Sequence, residues 1–557
     1  MISNTHLEFF TDHIAALEQC QRDVLDAILQ SFVVSDYARS INAADIATAE
    51  QYVAHVPVAS YEDLRPWIER IEAYPNSLTA DRTLAFFKTS GSTSKPKLIP
   101  VTPALMRQKV AAFAIFWGMI YRDYPQVATG TLVSNFIDAS QPEPNQSGIE
   151  ICSESSFWSR RGRSINTIQR WPLPAELRLV SDLDARLYAV ARLLLQADLH
   201  CIMCLNPSTL LQFCRVLQTH SMELIRGLRT GTWGTDDIRL LTCLNVASKQ
   251  SLESCLRTDE AAANRLSDAM NENAPPHLLD IWPMLNLVVC WRSTIVQPYF
   301  EQLAPFISDL PVRDYISQSS ECMMAIPVED SVSGGALAYT SHFYEFIEEA
   351  EIENQQASTR FAWQVEQGAR YELVVTTGGG LYRYRTGDCV QVSGFVDTVP
   401  VIEFLYRFGK TSSITGEKLT EQHVLLAASD ASIQTGFKPV EFLCYPSSGK
   451  DPHYSVMLDW PEGGNNELVS GAVALSWCQA FDHGLKQVNS EYADKCGSGR
   501  LGSMVAYRVA YGALRHARLA KKAQDVSDEQ VKSEVLTSRL DCHKQINSAQ
   551  IICVKPA

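Results

Sequence analysis

Between Phe87 and Lys97 the chain reads Phe-Lys-Thr-Ser-Gly-Ser-Thr-Ser-Lys-Pro-Lys. Seven consecutive residues, Lys88 to Ser94, carry no purely apolar side chain, and five of them bring hydroxyls. Hydroxyls and exposed amides can wrap anionic oxygens, and a lysine adds a point charge. The apolar runs Leu84–Phe87 and Leu98–Val101 predict a strand on each side. The stretch is therefore a hairpin-like loop. It lacks the glycine and lysine spacing of a Walker loop, which also opens a helix. Taken alone it fits a polar surface turn equally well.

Other stretches carry chemistry of a compatible kind. Ser319-Ser320-Glu321 ends a predicted strand over 315–320. An acidic residue after two hydroxyls can hold a metal beside a phosphate. Tyr371–Thr377 predicts a strand broken by Gly378-Gly379-Gly380. Leu381–Asp388 then alternates tyrosine and arginine at period two, which assigns Arg383 and Arg385 to one face and Tyr382 and Tyr384 to the other. Two arginines on one face suit an anionic partner, and an amphipathic edge strand is the competing reading. Asp388, just after a glycine turn, can accept from paired hydroxyls such as those of a ribose. Arg407-Phe408-Gly409-Lys410 ends a strand over 402–406 with glycine and charge, as a hinge would. Arg292 either reaches a carboxylate or phosphate or faces solvent.

The elements that must position these residues alternate between strand and helix. Residues 1 to about 80 read as helical, with Ser60 capping a helix start near Asp63. Thr102 caps a helix to about Tyr121, with Pro103 in its first turn. Its aromatics Phe113, Phe116, Trp117 and Tyr121 suit a core better than a ligand wall, although their place after the polar loop suits either. A helix over 187–199, a strand over 201–205, a helix after Asn206-Pro207-Ser208 and a buried strand over 285–291 imply an α/β domain. Beyond about residue 410 come strands over 440–445 and 454–458, helices within 470–488 and 504–523, and a charged, mobile-looking tail over 521–544. That is enough for a separate α+β domain.

At 557 residues the chain exceeds one core and predicts at least two domains. A formal net charge of −15 argues against a general nucleic-acid partner. The first residues show no signal peptide and no apolar run spans a bilayer, so no membrane partner is expected. Fifteen scattered cysteines suit a reducing, cytoplasmic setting. Cys201 and Cys204 read as plain buried thiols despite their redox-motif spacing.

Together the stretch Thr89–Lys97, Ser319-Ser320-Glu321 and Tyr384–Asp388 resemble the three signature motifs of the adenylate-forming superfamily. Asn206–Leu211, Tyr371–Asp388, Phe404–Arg407 and Gly416-Glu417-Lys418-Leu419-Thr420-Glu421 resemble, more narrowly, the Gretchen Hagen acyl acid amido synthetases. The resemblance spans roughly residues 60–425. It implies an α/β fold with a large N-terminal adenylation domain over 1–406, a hinge at 407–410 and a smaller mobile domain over 411–557. It implies that ATP activates a small carboxylic acid as its adenylate, and that an amine such as an amino acid takes the acyl group and releases AMP. Ser90, Gly91, Ser92, Thr93 and Lys97, with Ser319 and Ser320, would bind phosphates. Glu321 would hold Mg²⁺. Tyr384 and Asp388 would bind the nucleoside, and Arg407 and Lys418 the adenylate. Thiol ester formation on coenzyme A and a silent nucleotide-binding protein are the alternatives. The chain departs from the pattern at Ser94, Ser317 and Trp291–Thr294, and Lys532 matches a late lysine only faintly.

Overall fold

The computed structural model describes residues 5–43, 45–89, 97–134, 143–144, 148–161, 173–180, 182–237, 242, 244–270, 275–292, 297–352, 354, 357–407, 411–412, 414–415, 417, 419–447, 452–460, 467–520, 534–539, 541–546 and 551–554. The chain divides into two compact units. The first comprises Met1–Thr386 and Val390–Phe404, the second Gly387–Cys389, Leu405–Gln524 and Gln530–Ala557.

The first unit is mixed α/β, as its alternating pattern predicts. A parallel four-stranded sheet runs Thr131–Ser134, Leu199–Cys204, Leu287–Cys290, Val312–Arg313. Its central strand Leu287–Cys290 is buried at every residue, which is why the sequence shows there a continuous apolar run rather than an alternation. Cys201 and Cys204 are buried thiols on the neighbouring strand, and burial pushes the Cys201 thiol up. An eight-stranded sheet carries Tyr384 and, between two of its strands, Glu321; its strand order is Arg360–Phe361, Phe343–Glu348, Arg370–Thr376, Tyr384–Val396, Val399–Arg407, Gly335–Leu337, Met323–Ile326, Ser317–Gln318. The N-terminal helix Leu17–Phe32 packs its buried Leu25, Leu29 and Phe32 into the same apolar core. Ser60 caps the helix Tyr61–Glu69 in a reciprocal pair with Asp63.

The second unit has its own sheet, Phe442–Ser447, His453–Asp459, Val505–Val509, Ile551–Val554, backed by the helices Glu421–Thr435 and Glu467–Val488. The region 504–523 contains a helix, as the sequence predicts, but also a strand that it does not. Val505–Val509 is a strand parallel to His453–Asp459, and a helix follows only over Ala513–Ala520. Pairing along a neighbouring strand outweighs local helical preference. The tail is not uniformly mobile-looking: Val535, Leu536 and Cys542 are buried, and Leu536 bridges Cys444. Residues 521–533 lie outside the described residues.

Candidate functional site

The strand Ala85–Thr89 pairs antiparallel with Lys97–Val101, Thr89 opposite Lys97, so the polar stretch between them is the connection of a hairpin. Ser90, Gly91, Ser92 and Thr93 themselves lie outside the described residues, as do Lys418, Lys532 and residues 408–410. The helix after the hairpin is tied to the glycine turn at Gly378. Thr102 accepts from Leu105 N as the cap of the helix Pro103–Asp123, and its hydroxyl donates to the Gly378 carbonyl at 2.7 Å. Gln108 accepts from Gly378 N at 3.0 Å. A β-carbon at Gly378 would lie 2.7 Å from the Ala104 β-carbon, so only glycine lets the turn sit on the helix start. Gly380 adopts φ +93, which reverses the chain toward Tyr384.

That reversal brings three predicted site residues together. Lys97 Nζ donates to the Tyr384 hydroxyl at 3.1 Å. The same hydroxyl donates to Glu321 Oε1 at 3.5 Å. Tyr384 and Glu321 are buried, while Lys97 is half-buried. The Lys97 ammonium also faces the ring of Tyr61, 5.4 Å from its centroid, and that of Tyr384, 5.8 Å away. Aromatic faces favour a cation and hold its direction. Ser319 and Ser320 are half-buried in the turn before Glu321. One carboxylate, with phosphate oxygens and water completing the shell, is the coordination Mg²⁺ favours. Among the described residues no cluster of three or more His, Cys, Asp or Glu offers a metal a different home.

Asp388 is buried and pairs with Arg407, Nε to Oδ1 3.6 Å. The expected anion-facing arginine pair is not formed. Arg383 takes φ +43, which breaks the period-two alternation, and its guanidinium is buried against Glu345 at 2.7 Å. Arg385 pairs with Glu372. Both charges are already neutralised by carboxylates of the sheet. Arg292 lies over the Phe300 ring, 4.7 Å from its centroid, and its amide donates to Asp314 at 2.7 Å. Phe116 and Trp117 are core residues, as their first reading has it.

Next to Lys418, Glu417 is fully buried. Its carboxylate accepts from the Tyr454 hydroxyl at 2.6 Å, Ile414 N at 2.6 Å, and Thr415 N and Oγ1 at 2.8 and 2.9 Å. Burial works to raise this carboxyl, but the Tyr454, Ile414 and Thr415 donors outweigh it and hold it below its ordinary value. A depressed folded-state pKa contributes stability above the unfolded value of about 4.3, lost as pH falls through the lower folded value. Glu417→Gln turns an NH₂ toward N–H donors. It is expected to destabilise the second unit by about 2 kcal/mol and to flatten its stability profile below the carboxylate range. Urea unfolding across pH followed by tryptophan fluorescence checks both.

Four residues near the site escaped the sequence reading. Tyr61 accepts from Leu98 N at 2.7 Å and donates to Leu98 O at 3.3 Å, which places its ring beside Lys97. Lys109 donates to Glu154 at 2.7 Å and to the Ser319 carbonyl at 2.8 Å. His342 Nε2 accepts from Met323 N at 3.1 Å; burial, with the nearby Lys109 charge, pushes this imidazole down to about 3, so it is neutral. Only Lys109 left a signal: it falls in register with the buried Leu105, Ala112 and Phe116 of its helix, where an apolar residue is the rule.

Comparison with known proteins identifies the family of the chain. The GH3 family N-terminal domain matches residues 6–312, the central domain 335–407 and the C-terminal domain 422–540. Among curated relatives, the indole-3-acetic acid-amido synthetase GH3.2 of Arabidopsis thaliana is 25% identical over 520 residues, covering 88% of this chain and 93% of its own. The corresponding GH3.15 of Arabidopsis thaliana is 24% identical, covering 85% and 79%. The probable indole-3-acetic acid-amido synthetase GH3.12 of Oryza sativa subsp. japonica is 26% identical, covering 89% and 88%. The solved structure of the AtGH3.15 acyl acid amido synthetase in complex with 2,4-DB has the same fold, with a TM-score of 0.81 at 20% identity over 98% of this chain and 96% of that one. With three family domains matched in chain order, the first alone spanning more than half its length, this chain belongs to the GH3 family.

Proposed function

We infer that the chain is an AMP-forming carbon–nitrogen ligase, an acyl acid amido synthetase that uses ATP. In the first half-reaction a carboxylate oxygen of the acid attacks the α-phosphorus, and the bond to the β-phosphate breaks. In the second an amine nitrogen attacks the acyl carbon, and AMP leaves with the former carboxylate oxygen. The amine is an amino acid in this reading, and the acid is a small one, as for the relatives named for indole-3-acetic acid. No protein nucleophile is needed, because the adenylate is already the activated acyl group.

The observation that carries the reading is the chain Lys97–Tyr384–Glu321, which gathers residues from three distant motifs into one place. Lys97 supplies positive charge for the departing pyrophosphate, and Tyr384 fixes its direction. Ser90, Ser92 and Thr93 add hydroxyls from the loop, while Ser319 and Ser320 face the same phosphates. Glu321 would hold Mg²⁺, which when bound would neutralise charge building on the pyrophosphate. Asp388 takes the ribose hydroxyls, with Arg407 setting its orientation. Lys418 reaches the adenylate when the C-terminal domain turns about residues 407–410.

Acid-dependent exchange of pyrophosphate into ATP, followed by product mass with amino acids added, tests this. Exchange together with an amide mass is the expected result. Exchange with a thiol ester from coenzyme A and no amide would transfer the chain to the thiol-acylating enzymes. Nucleotide binding without exchange across a broad acid panel would leave a binding protein.

A further inference from the structure

We propose that Lys109 is a positioning residue for the Ser319–Glu321 turn: its ammonium, neutralised by Glu154, grips the Ser319 carbonyl and so fixes the backbone that aims Glu321. This rests on the assignment of Glu321 to the pyrophosphate and its cation.

The side chain of Lys109 is 0% exposed. One N–H goes to Glu154 Oε1 at 2.7 Å and another to Ser319 O at 2.8 Å. Glu154 is itself held by the Trp158 indole at 3.1 Å, and the Phe87 ring lies 5.9 Å from the ammonium. The same lysine therefore joins the helix that follows the phosphate hairpin, the helix Glu154–Arg161 and the turn that carries Glu321. Within that turn Ser319 N donates to Cys322 O at 2.8 Å, and Cys322 N donates to Ser319 Oγ at 3.3 Å. His342 Nε2 takes Met323 N at 3.1 Å. The turn is thus closed on itself, held at its far end by His342 and at its near end by Lys109.

Stability alone does not account for an ammonium in this place. A buried ion pair is often replaceable by apolar side chains without loss, and the position belongs to an apolar helix face. What an apolar side chain cannot do is donate to the Ser319 carbonyl. Lys109 is also poorly suited to bind phosphate directly, because its charge is already matched by Glu154.

The test uses the full-length protein in three forms: Lys109→Met, Lys109→Met with Glu154→Gln, and Glu321→Ala. Hydrogen exchange at the Cys322 and Met323 amides is read without ligand. Pyrophosphate exchange is read against Mg²⁺ concentration, and stability by urea midpoint. Lys109→Met is expected to speed exchange at both amides, raise the half-saturating Mg²⁺ concentration and slow adenylate formation by about 10- to 100-fold. The double variant removes the unpaired buried charge; it should recover the urea midpoint while amide exchange stays fast and adenylate formation stays slow. Recovery of all three together would reduce Lys109 to a stabilising role and overturn the proposal, as would unchanged amide protection in Lys109→Met. A Glu321→Ala protein with normal Mg²⁺ dependence would fail the underlying assignment of Glu321, whereas the amide exchange of Lys109→Met still decides whether Lys109 holds the turn.

Discussion

Replacing Glu321 by alanine is expected to slow adenylate formation by roughly 10²- to 10³-fold, the loss seen when a group aimed at developing transition-state charge is removed. Glu321 is 3% exposed, beside a tyrosine that also receives Lys97. Its charge therefore acts where water screens little, and a cation held there would be felt fully. Acid-dependent pyrophosphate exchange measures the step directly. Glu321→Gln separates charge from shape. If the carboxylate holds Mg²⁺, the glutamine variant should lose nearly as much as alanine, and raising Mg²⁺ should recover part of it. If Glu321 serves only to orient Tyr384, glutamine should work almost normally and Mg²⁺ should make no difference. Lys97→Ala makes a useful companion, because its loss should appear in the same half-reaction. An effect confined to amide formation would move the Lys97–Tyr384–Glu321 chain out of the pyrophosphate site.

Much of this was legible in the sequence, for reasons that can be named. The hairpin flanking the polar stretch, the Thr102 cap and the Ser60–Asp63 pair follow local rules: apolar runs, a cap residue, a proline at the first turn. The buried strand at 287–290 showed in its unbroken apolar run. The assembly of Lys97, Tyr384 and Glu321 could be expected only through family resemblance, since nothing local places residues 97, 321 and 384 together. Lys109 and Glu154 were missed because a buried charge in an apolar register looks like an interruption until its partner is known. The C-terminal strand Val505–Val509 was missed because its partner, His453–Asp459, lies about fifty residues earlier. Arg383 was misread because a period-two argument assumes extended backbone, and φ +43 is not extended.

Arg383 yields the second large expectation. Its five N–H groups all have acceptors. Nε donates to Glu345 Oε1 and Oε2 at 3.1 and 3.0 Å, and Nη2 to Glu345 Oε1 at 2.7 Å and Thr359 Oγ1 at 2.8 Å. Nη1 donates to the Val53 and Val56 carbonyls, each at 2.7 Å. The two charged side chains are only 6% and 1% exposed, so breaking the pair leaves Glu345 charged and dry. Arg383→Met should therefore destabilise the first unit by about 3–5 kcal/mol, the usual result of orphaning one partner of a buried ion pair. Adding Glu345→Leu should return a large part of that loss, since the unpaired charge is then gone, although the Val53 and Val56 carbonyls stay unsatisfied. Urea unfolding of the three proteins measures this. The alternative, an arginine that binds substrate anion, predicts the reverse pattern: a weakened ATP dependence with the unfolding midpoint unmoved. The contrast matters for the site because Arg383 immediately precedes Tyr384. Its carbonyl accepts from Ala59 N at 2.9 Å, and Arg385 N donates to Ala59 O at 2.9 Å. The buried arginine thus anchors the chain on which Tyr384 meets Lys97 and Glu321, and any effect of Arg383→Met on adenylate formation is expected to run through that placement.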